Sequence, residues 1–210
     1  MPAAAVVYVH GLWMTGAESI WLRRRLARER GYQLRVFRYA SVGSPPTHVI
    51  AALRDTIAAI EAPRVHLLGH SLGGLMILRC LERYPMAQPG RVVLLGAPVA
   101  GSRAARRLGR SKLGRRLLGA VSAEELLVER APRWNVGREL GIIAGTMSLG
   151  FGRLLLKFSE DNDGTVAVSE TRVAGAAGFL ALPVTHSGML WSSRVAREAG
   201  SFLEYGSFGR

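Results

Sequence analysis

Short apolar runs rich in β-branched residues alternate along the chain with longer segments in which apolar residues recur at helical spacing. This alternation is typical of a mostly parallel sheet that is covered by helices on both faces. Six runs are predicted to be strands: Ala5–Val9, Gln33–Tyr39, Val65–Leu68, Arg91–Leu95, Leu140–Ala144 and Phe179–Val184. Helices are predicted at about Glu18–Arg30, Pro46–Ile60, Gly73–Arg83, within Ser102–Arg130, and at Met189–Glu204. The predicted fold class is therefore α/β with about six strands.

The segment between the fourth and fifth predicted strands departs from this pattern. Residues Arg103 to Arg116 hold seven cations and no acid. We expect a short helical cap or lid at about residues 101–135, inserted into a single domain that spans residues 1–210. Trp134 is interpreted either as an anchor of this lid or as core. Trp191, in the last predicted helix, is expected to belong to the core rather than to a site.

Composition removes several classes of protein. Hydrophobic residues make up 49% of the chain and charged residues 20%, which excludes disorder. The single cysteine, Cys80, excludes an intrachain disulfide and a cysteine-rich zinc site and fits a reducing compartment. The mostly apolar stretches at residues 140–152 and 173–184 are too short to span a bilayer. The start lacks the features of a signal peptide, so we expect a cytoplasmic chain.

The net charge of +13 comes from 26 arginines and only two lysines, a ratio that codon bias can produce. Three interpretations of the basic segment Arg103 to Arg116 stay open. It is a solvated cap face, an amphipathic lid that touches anionic lipid surfaces, or a nucleic-acid patch. The absence of aromatic residues in the segment disfavours a nucleic-acid partner.

The sharpest local signal lies where the third predicted strand enters a glycine-rich turn, in the sequence VHLLGHSLGGLMIL. This is the G-x-S-x-G pattern of a nucleophile elbow, in the strand, turn and helix context that the pattern requires. Such a turn holds its serine, here Ser71, in a strained conformation, and Gly69 and Gly73 avoid collisions with neighbouring segments. Ser71 is the candidate nucleophile, although close packing at a helix start produces the same pattern.

Serine is a weak nucleophile, so the hypothesis requires a histidine base and an acid that orients it. His186 follows the last predicted strand, which puts it at the carboxyl edge of the sheet, where the elbow also opens. The aspartates that follow the fifth predicted strand are Asp161 and Asp163. We prefer Asp163, because Gly164 permits a tight turn there, and keep Asp161 as the alternative. Ser71, Asp163 and His186 then occur in the expected chain order.

Acyl transfer also requires donors for the tetrahedral oxyanion. The first predicted strand ends in VHGLW, and we expect this loop to fold against the elbow. The backbone N–H groups of Leu12 and Leu72 would then form the oxyanion hole. Trp13 and Met14 are candidates for substrate binding, although a hydrophobic pair after a loop is more often simple packing. No metal or cofactor is predicted.

Five segments, YVHGLWMTG, LLGHSLGG, VVLLGAPVAGS, NDGTVAVSE and PVTHSGML, together resemble the α/β-hydrolase superfamily. The resemblance extends from Val6 to about Glu204 and is specifically to the small lipase and esterase branch, the bacterial relatives of GPI inositol-deacylase-like proteins. It implies a minimal α/β-hydrolase fold that begins at what would be the third strand of the family. It also implies the same roles for the residues singled out above: Ser71 as nucleophile, Asp163 as acid, His186 as base, and Leu12 with Leu72 as oxyanion hole.

The predicted function is that of a cofactor-free serine hydrolase that cleaves carboxylic esters through an acyl-enzyme on Ser71. Its substrate would be a small-molecule ester or a lipid, with the apolar acyl chain under the segment that follows Ala97. Two alternatives stay open. An acyltransferase or thioesterase would use the same triad, and a non-catalytic hydrolase-fold module would bind anionic lipid surfaces.

Overall fold

A computed structural model describes residues 4–129, 131–148 and 159–210 of the chain. Within these residues, six strands form one all-parallel sheet in the order β2-β1-β3-β4-β5-β6. The strands are β1 (Ala5–Val9), β2 (Gln33–Phe37), β3 (Val65–His70), β4 (Val92–Leu95), β5 (Leu140–Gly145) and β6 (Gly178–Leu182). The predicted α/β class and the number of strands are confirmed. Because every strand runs in the same direction, the loops at the carboxyl edge are brought together.

The helices follow the strands in the expected alternation. They are α1 (Ile20–Arg30), α2 (Pro46–Ala58), α3 (Leu72–Arg83), α4 (Arg103–Leu108), α5 (Lys112–Leu126) and α6 (Ser193–Tyr205). Short 3₁₀ turns lie at Ala17–Ser19, Val168–Thr171 and Gly188–Trp191. Among the described helices, none is both long and apolar enough to cross a membrane.

The sheet separates two hydrophobic clusters, because alternate residues of a strand point to opposite faces. On one face, Val7 of β1 packs in a cluster with residues of α2 and α3. On the other face, Tyr8 packs with residues of α1 and α6, including the fully buried Phe202. Strands buried on both faces therefore read as continuous apolar runs in the sequence.

The region predicted to be helical between Ser102 and Arg130 is divided into α4 and α5. Each helix has its own serine cap: the hydroxyl of Ser102 accepts the Ala105 N–H at 3.1 Å, and that of Ser111 accepts the Gly114 N–H at 2.9 Å. Helix α5 is itself interrupted at Gly119, which has a φ of 73°. Two caps and an interruption explain why one run of helical spacing yields separate pieces.

Two tryptophans lie in different environments. Trp134 is buried in the cluster that contains α2 and α3, in agreement with its interpretation as core. The prediction that Trp191 is core is wrong, because 57% of its surface is exposed. Trp191 ends the 3₁₀ turn that precedes α6, whereas its neighbours Met189 and Leu190 fill the core. The helical spacing therefore agrees with the burial of Met189 and Leu190 but not with the exposure of the Trp191 ring.

Candidate active site

Ser71 lies at the turn between β3 and α3, at the carboxyl end of a central strand. Its backbone has φ 53° and ψ −124°, a positive φ that is uncommon and strained for a residue with a side chain. The turn is held by the Ser71 N–H, which donates to the carbonyl of Leu95 at the end of β4 at 2.9 Å. The side chain is half-buried at the sheet edge. This is the conformation that a nucleophile elbow imposes.

The two glycines of the elbow allow a very close approach of backbone segments. A Cβ on Gly73 would lie 2.2 Å from the Val9 carbonyl oxygen at the end of β1. A Cβ on Gly69 would lie 2.6 Å from the Cα of Gly74. Side chains at these positions would displace α3 from the sheet. The G-x-S-x-G spacing is therefore a packing requirement of this turn.

Asp163 and His186 form a hydrogen-bonded pair. The Oδ2 atom of Asp163 lies 2.7 Å from His186 Nδ1, and the carboxylate is 1% exposed. Its other oxygen, Oδ1, accepts the backbone N–H groups of Thr165 at 2.9 Å and Val166 at 2.7 Å. The alternative acid, Asp161, has an exposed side chain. The turn thus fixes one oxygen of Asp163 and leaves the other for the ring.

The pairing defines the proton arrangement of His186. An ionised carboxylate can only accept, so Nδ1 carries the proton that is donated to Asp163. In the neutral ring, Nε2 then has a free lone pair and can act as a base. The backbone strengthens the contact, because the His186 N–H donates to the Asp163 carbonyl at 2.9 Å.

Gly96, immediately after β4, packs against this pair and was not singled out from the sequence. Its φ is 54°, and a Cβ there would lie 3.0 Å from Asp163 Oδ2 and 3.2 Å from His186 Nδ1. Only a residue without a side chain gives both the positive φ and the room for the carboxylate and ring. The signal in the sequence was the glycine of the VVLLGAP segment, directly after an apolar strand.

His70 connects the elbow to the His186 loop. Its Nε2 lies 3.0 Å from the carbonyl oxygen of His186 and must donate to it, and the two ring centroids are 4.8 Å apart. Ser71, the next residue, has a hydroxyl that makes no hydrogen bond within the described residues, to His186 or to any other group. The structure therefore joins Asp163 to His186 by a direct contact. Ser71 lies at the same carboxyl edge of the sheet, where the preceding residue, His70, is hydrogen-bonded to the backbone of His186. Catalytic hydrogen bonds are often long without substrate.

The backbone N–H groups of Leu12 and Leu72, beside the elbow, have no acceptor among the described residues. Leu72 is the first residue of α3, where a helix has free donors and the positive end of its dipole. The loop that carries Leu12 passes beside the serine, because a Cβ on Gly11 would lie 3.1 Å from Ser71 Cβ. Both groups are available to an oxyanion.

His10 fixes this loop in its position. Its Nδ1 donates to the Gly11 carbonyl at 2.9 Å, while Nε2 accepts the Tyr39 N–H at 3.3 Å. The Tyr39 ring stacks on His10 with centroids 4.4 Å apart, and its hydroxyl donates to the His10 carbonyl at 2.9 Å. Burial lowers the pKa of His10, which favours the neutral ring that these contacts require.

The two candidate pocket residues have different surroundings. Trp13 is 60% exposed and joins its loop to α5, since its Nε1 donates to the Leu117 carbonyl at 3.0 Å. Its backbone N–H donates to the Ser41 hydroxyl at 3.0 Å. Met14 is half-buried and packs on the cluster that contains α1 and α6. Trp13 thus lies at the rim, and Met14 supports the loop from beneath.

Glu170 connects the loop that follows Asp163 to the first residue of α4, and the sequence analysis did not single it out. It is buried, and its two carboxylate oxygens accept the N–H groups of Ala167 at 2.9 Å and Arg103 at 2.7 Å. Glu160 also binds the Arg103 guanidinium, at 2.5 Å. The contacts that Glu170 and Glu160 make with Arg103 link segments far apart in the chain, so no local pattern predicts them. Within the described residues, no group of three or more His, Cys, Asp or Glu is arranged to hold a metal ion.

Residues 6–199 match the sequence profile described as "Alpha/beta hydrolase family". The chain belongs to the alpha/beta hydrolase family. This match covers the strands, the elbow and the Asp163–His186 pair. No curated protein matches the chain.

Several solved structures of this family's fold resemble the chain. The lipase BlEst2 of Bacillus licheniformis in its mature form is 19% identical, with a TM-score of 0.72 over 99% of this chain and 93% of the lipase. The metagenomic carboxyl esterase MGS0156 is 20% identical, with a TM-score of 0.65 over 89% of this chain and 65% of the esterase. Phospholipase PlaB from Legionella pneumophila is 19% identical, with a TM-score of 0.63 over 95% of this chain and 57% of PlaB. At these identities the likeness is one of fold.

Proposed function

We propose that this alpha/beta hydrolase cleaves carboxylic esters through an acyl-enzyme on Ser71. The observation that carries the proposal is the 2.7 Å contact between Asp163 Oδ2 and His186 Nδ1, at the sheet edge where the strained elbow presents Ser71. A buried carboxylate that orients a histidine beside an elbow serine is the arrangement that nucleophilic acyl transfer requires. The structural neighbours described as a lipase, an esterase and a phospholipase support the same class of reaction.

In the first half of the proposed reaction, His186 Nε2 takes the Ser71 proton as Oγ forms a bond to the substrate carbonyl carbon. The oxyanion of the tetrahedral intermediate accepts the N–H groups of Leu12 and Leu72. Loss of one such donor typically lowers the rate about 100- to 1,000-fold. Asp163 stabilises the imidazolium without taking its proton. Collapse breaks the carbon–oxygen bond to the alcohol, which leaves with the proton from His186.

In the second half, His186 removes a proton from water and the resulting hydroxide attacks the Ser71 ester. The same two N–H groups hold the second oxyanion. Collapse returns the proton to Ser71 Oγ and releases the carboxylic acid. Each proton taken by the ring is returned within its own half-reaction, so the enzyme ends as it began.

The apolar acyl chain is proposed to lie between the elbow and the cap, under the segment that follows Ala97. Val99, Leu118 and Leu126 in and before the cap are buried in the cluster that contains α3, so this side of the site is apolar. Such a surface favours hydrocarbon over polar acyl groups. Rates on aryl esters of graded acyl length test this part: a preference for long chains indicates lipase activity, and a flat or short-chain profile indicates esterase activity.

The test of the mechanism is covalent labelling with a fluorophosphonate probe. We expect the native protein to be labelled and the S71A variant to remain unlabelled. H186A is expected to lose turnover of an aryl ester by as much as about a million-fold, because triad members act as a unit. The matched controls are S193A and H48A, which alter exposed residues away from the elbow and should behave as the native protein does. Labelling that persists in S71A, or an active H186A, would refute the assignment.

A further inference from the structure

We propose that the outer face of the cap is a docking surface for anionic phospholipid bilayers. This surface, called here the cap face, combines three exposed apolar side chains with exposed arginines. Its members are Trp13, Leu113, Leu117, Arg107, Arg110 and Arg116. It borders the loop that carries Leu12, so it lies at the rim of the candidate active site.

The apolar part of the cap face is unusual for a helix packed on a core. Leu113 and Leu117 are 68% and 46% exposed and lie four residues apart, on one side of α5. Leu118, the next residue along the helix, is buried, so the core already has its own contact with the helix. Trp13 extends the exposed stripe, since its Nε1 donates to the Leu117 carbonyl. Contiguous apolar groups rimmed by charge are typical of interaction sites.

Within the part of the chain that the structure describes, no carboxylate pairs with the arginines of the cap face. Arg107, Arg110 and Arg116 are exposed and have no ion-pair partner among the described residues. Other cap arginines are engaged within the protein: Arg103 with Glu160 and Glu170, and Arg106 with Glu129. Arg107, Arg110 and Arg116 are thus left without an ion-pair partner among the described residues, in the same stretch of chain as the exposed leucines. Exposed cations beside a membrane attract anionic lipid headgroups.

The apolar and the charged residues of the cap face together favour an anionic bilayer over a nucleic acid as the partner. Phosphate contacts of a nucleic acid would use the arginines but would leave Leu113 and Leu117 in water. A bilayer uses both, because aliphatic side chains enter the acyl boundary, arginines meet the headgroups, and tryptophan rings prefer the interface between them. Docking does not depend on catalysis. The role that we give to docking, which is to present a lipid ester to Ser71, rests on the proposed function.

The experiment is vesicle flotation of the full chain carrying S71A, so that turnover cannot alter the lipid. Vesicles of phosphatidylcholine alone are compared with vesicles that contain about 30 mol% phosphatidylglycerol. We expect binding to the anionic vesicles and not to the neutral ones. The R107Q/R110Q/R116Q variant is expected to lower the affinity roughly tenfold or more, since each cation near the surface contributes. L113Q/L117Q keeps the charge and is expected to weaken binding, most clearly in high salt.

The matched control is R64Q/R83Q/R133Q, which removes the same charge from exposed arginines elsewhere on the protein. This control should bind anionic vesicles as tightly as the protein with the unaltered cap face. Circular dichroism checks that every variant is folded. The proposal is overturned if anionic vesicles are not bound, if neutral vesicles are bound equally, or if the control triple weakens binding as much. It is also overturned if an oligonucleotide binds more tightly and L113Q/L117Q leaves vesicle binding intact. Fluorophosphonate labelling of the same cap variants with Ser71 restored separates this outcome from failure of the proposed function.

Discussion

At the scale of single residues, Asp163 divides its two oxygens between different tasks. Oδ1 closes the turn by accepting two backbone N–H groups, from Thr165 and Val166, and Oδ2 holds the ring of His186. A substitution that removes both oxygens would therefore combine a loss of the turn with a loss of the pairing. Asparagine separates the two, because its carbonyl oxygen can take the place of Oδ1 in the turn.

We predict that D163N lowers kcat for an aryl ester by roughly ten-thousand-fold while the protein stays folded. Its amide NH₂ faces His186 Nδ1 and donates to it, which moves the ring proton to Nε2 and removes the base. Ester kinetics and thermal melting of the native protein, D163N and D163A are the measurements. D163A is expected to melt lower than D163N, since its turn loses the one oxygen that accepts both backbone N–H groups. Near-native turnover in D163N would contradict the role given to the carboxylate.

The sequence identified the residues of the site best where the signal is local. The elbow is predicted from Gly69 and Gly73, two residues to either side of Ser71. Asp163 is preferred to Asp161 because Gly164 follows it directly. The structure places Asp163 against His186, and the catalytic roles stay predictions. Gly96 and His70 act on this pair through segments far apart in the chain, so their contacts required the fold. The exposure of Trp191 was not predicted because helical spacing does not show that the chain forms a separate 3₁₀ turn, which ends at Trp191, before the last helix begins.

At the scale of elements, the site depends on how closely α3 approaches the end of β1. The first turn of α3 carries Leu72, and the loop after β1 carries Leu12, so the separation of these elements sets the distance between the two N–H groups of the proposed oxyanion hole. Gly73 is the point of contact, with a Cβ position only 2.2 Å from the Val9 oxygen and 2.5 Å from that of His10. Both neighbours are backbone atoms, which cannot rotate away as a flexible side chain can.

We predict that G73A is less stable than the native protein by about 1–3 kcal/mol, because a methyl group there forces α3 and β1 apart. Its kcat/KM should fall about 100-fold, the usual effect of a displacement near 1 Å at a reacting centre. G137A is the matched control, since an added Cβ at Gly137 meets nothing within 4 Å. Urea denaturation and ester kinetics check both variants. A G73A protein with native stability and turnover would show that the contact is not tight in solution.

The strands were predicted well and the cap less well, for a physical reason. A strand buried on both faces has a continuous apolar run whose ends err by one or two residues, as at β2, which ends at Phe37 rather than Tyr39. Tyr39 leaves the strand because its N–H donates to the His10 ring. Between β4 and β5, the division of the helices depends on the Ser111 cap, and the interruption at Gly119 lies where an added Cβ would be 2.1 Å from the Val42 carbonyl oxygen of a distant loop. The spacing of hydrophobic residues alone therefore does not predict where these helices begin, end or are interrupted.

At the scale of the whole molecule, buried histidines make stability depend on pH. Burial lowers the pKa of His66 to about 4 and that of His70 to about 3, and it lowers the pKa of His10 as well. Nearby cations add to the effect at His66. In the unfolded chain each histidine titrates near pH 6.5. Between these values the unfolded state binds protons that the folded state excludes, so stability falls as the pH falls.

We therefore predict that the free energy of unfolding decreases from pH 6.5 toward pH 5, with a limiting slope of about 1.4 kcal/mol per pH unit for each of these histidines. H66N should lower this slope by about 1.4 kcal/mol per pH unit, the contribution of one proton, because asparagine does not titrate. Its Oδ1 can accept the Arg91 backbone N–H that His66 Nδ1 accepts at 2.9 Å. H48N, at an exposed position, is the control and should leave the slope unchanged. Urea denaturation at several pH values measures it. Equal slopes in H66N and the native protein would mean that His66 is protonated in the folded state, and its burial beside Arg91 would then have to be reconsidered.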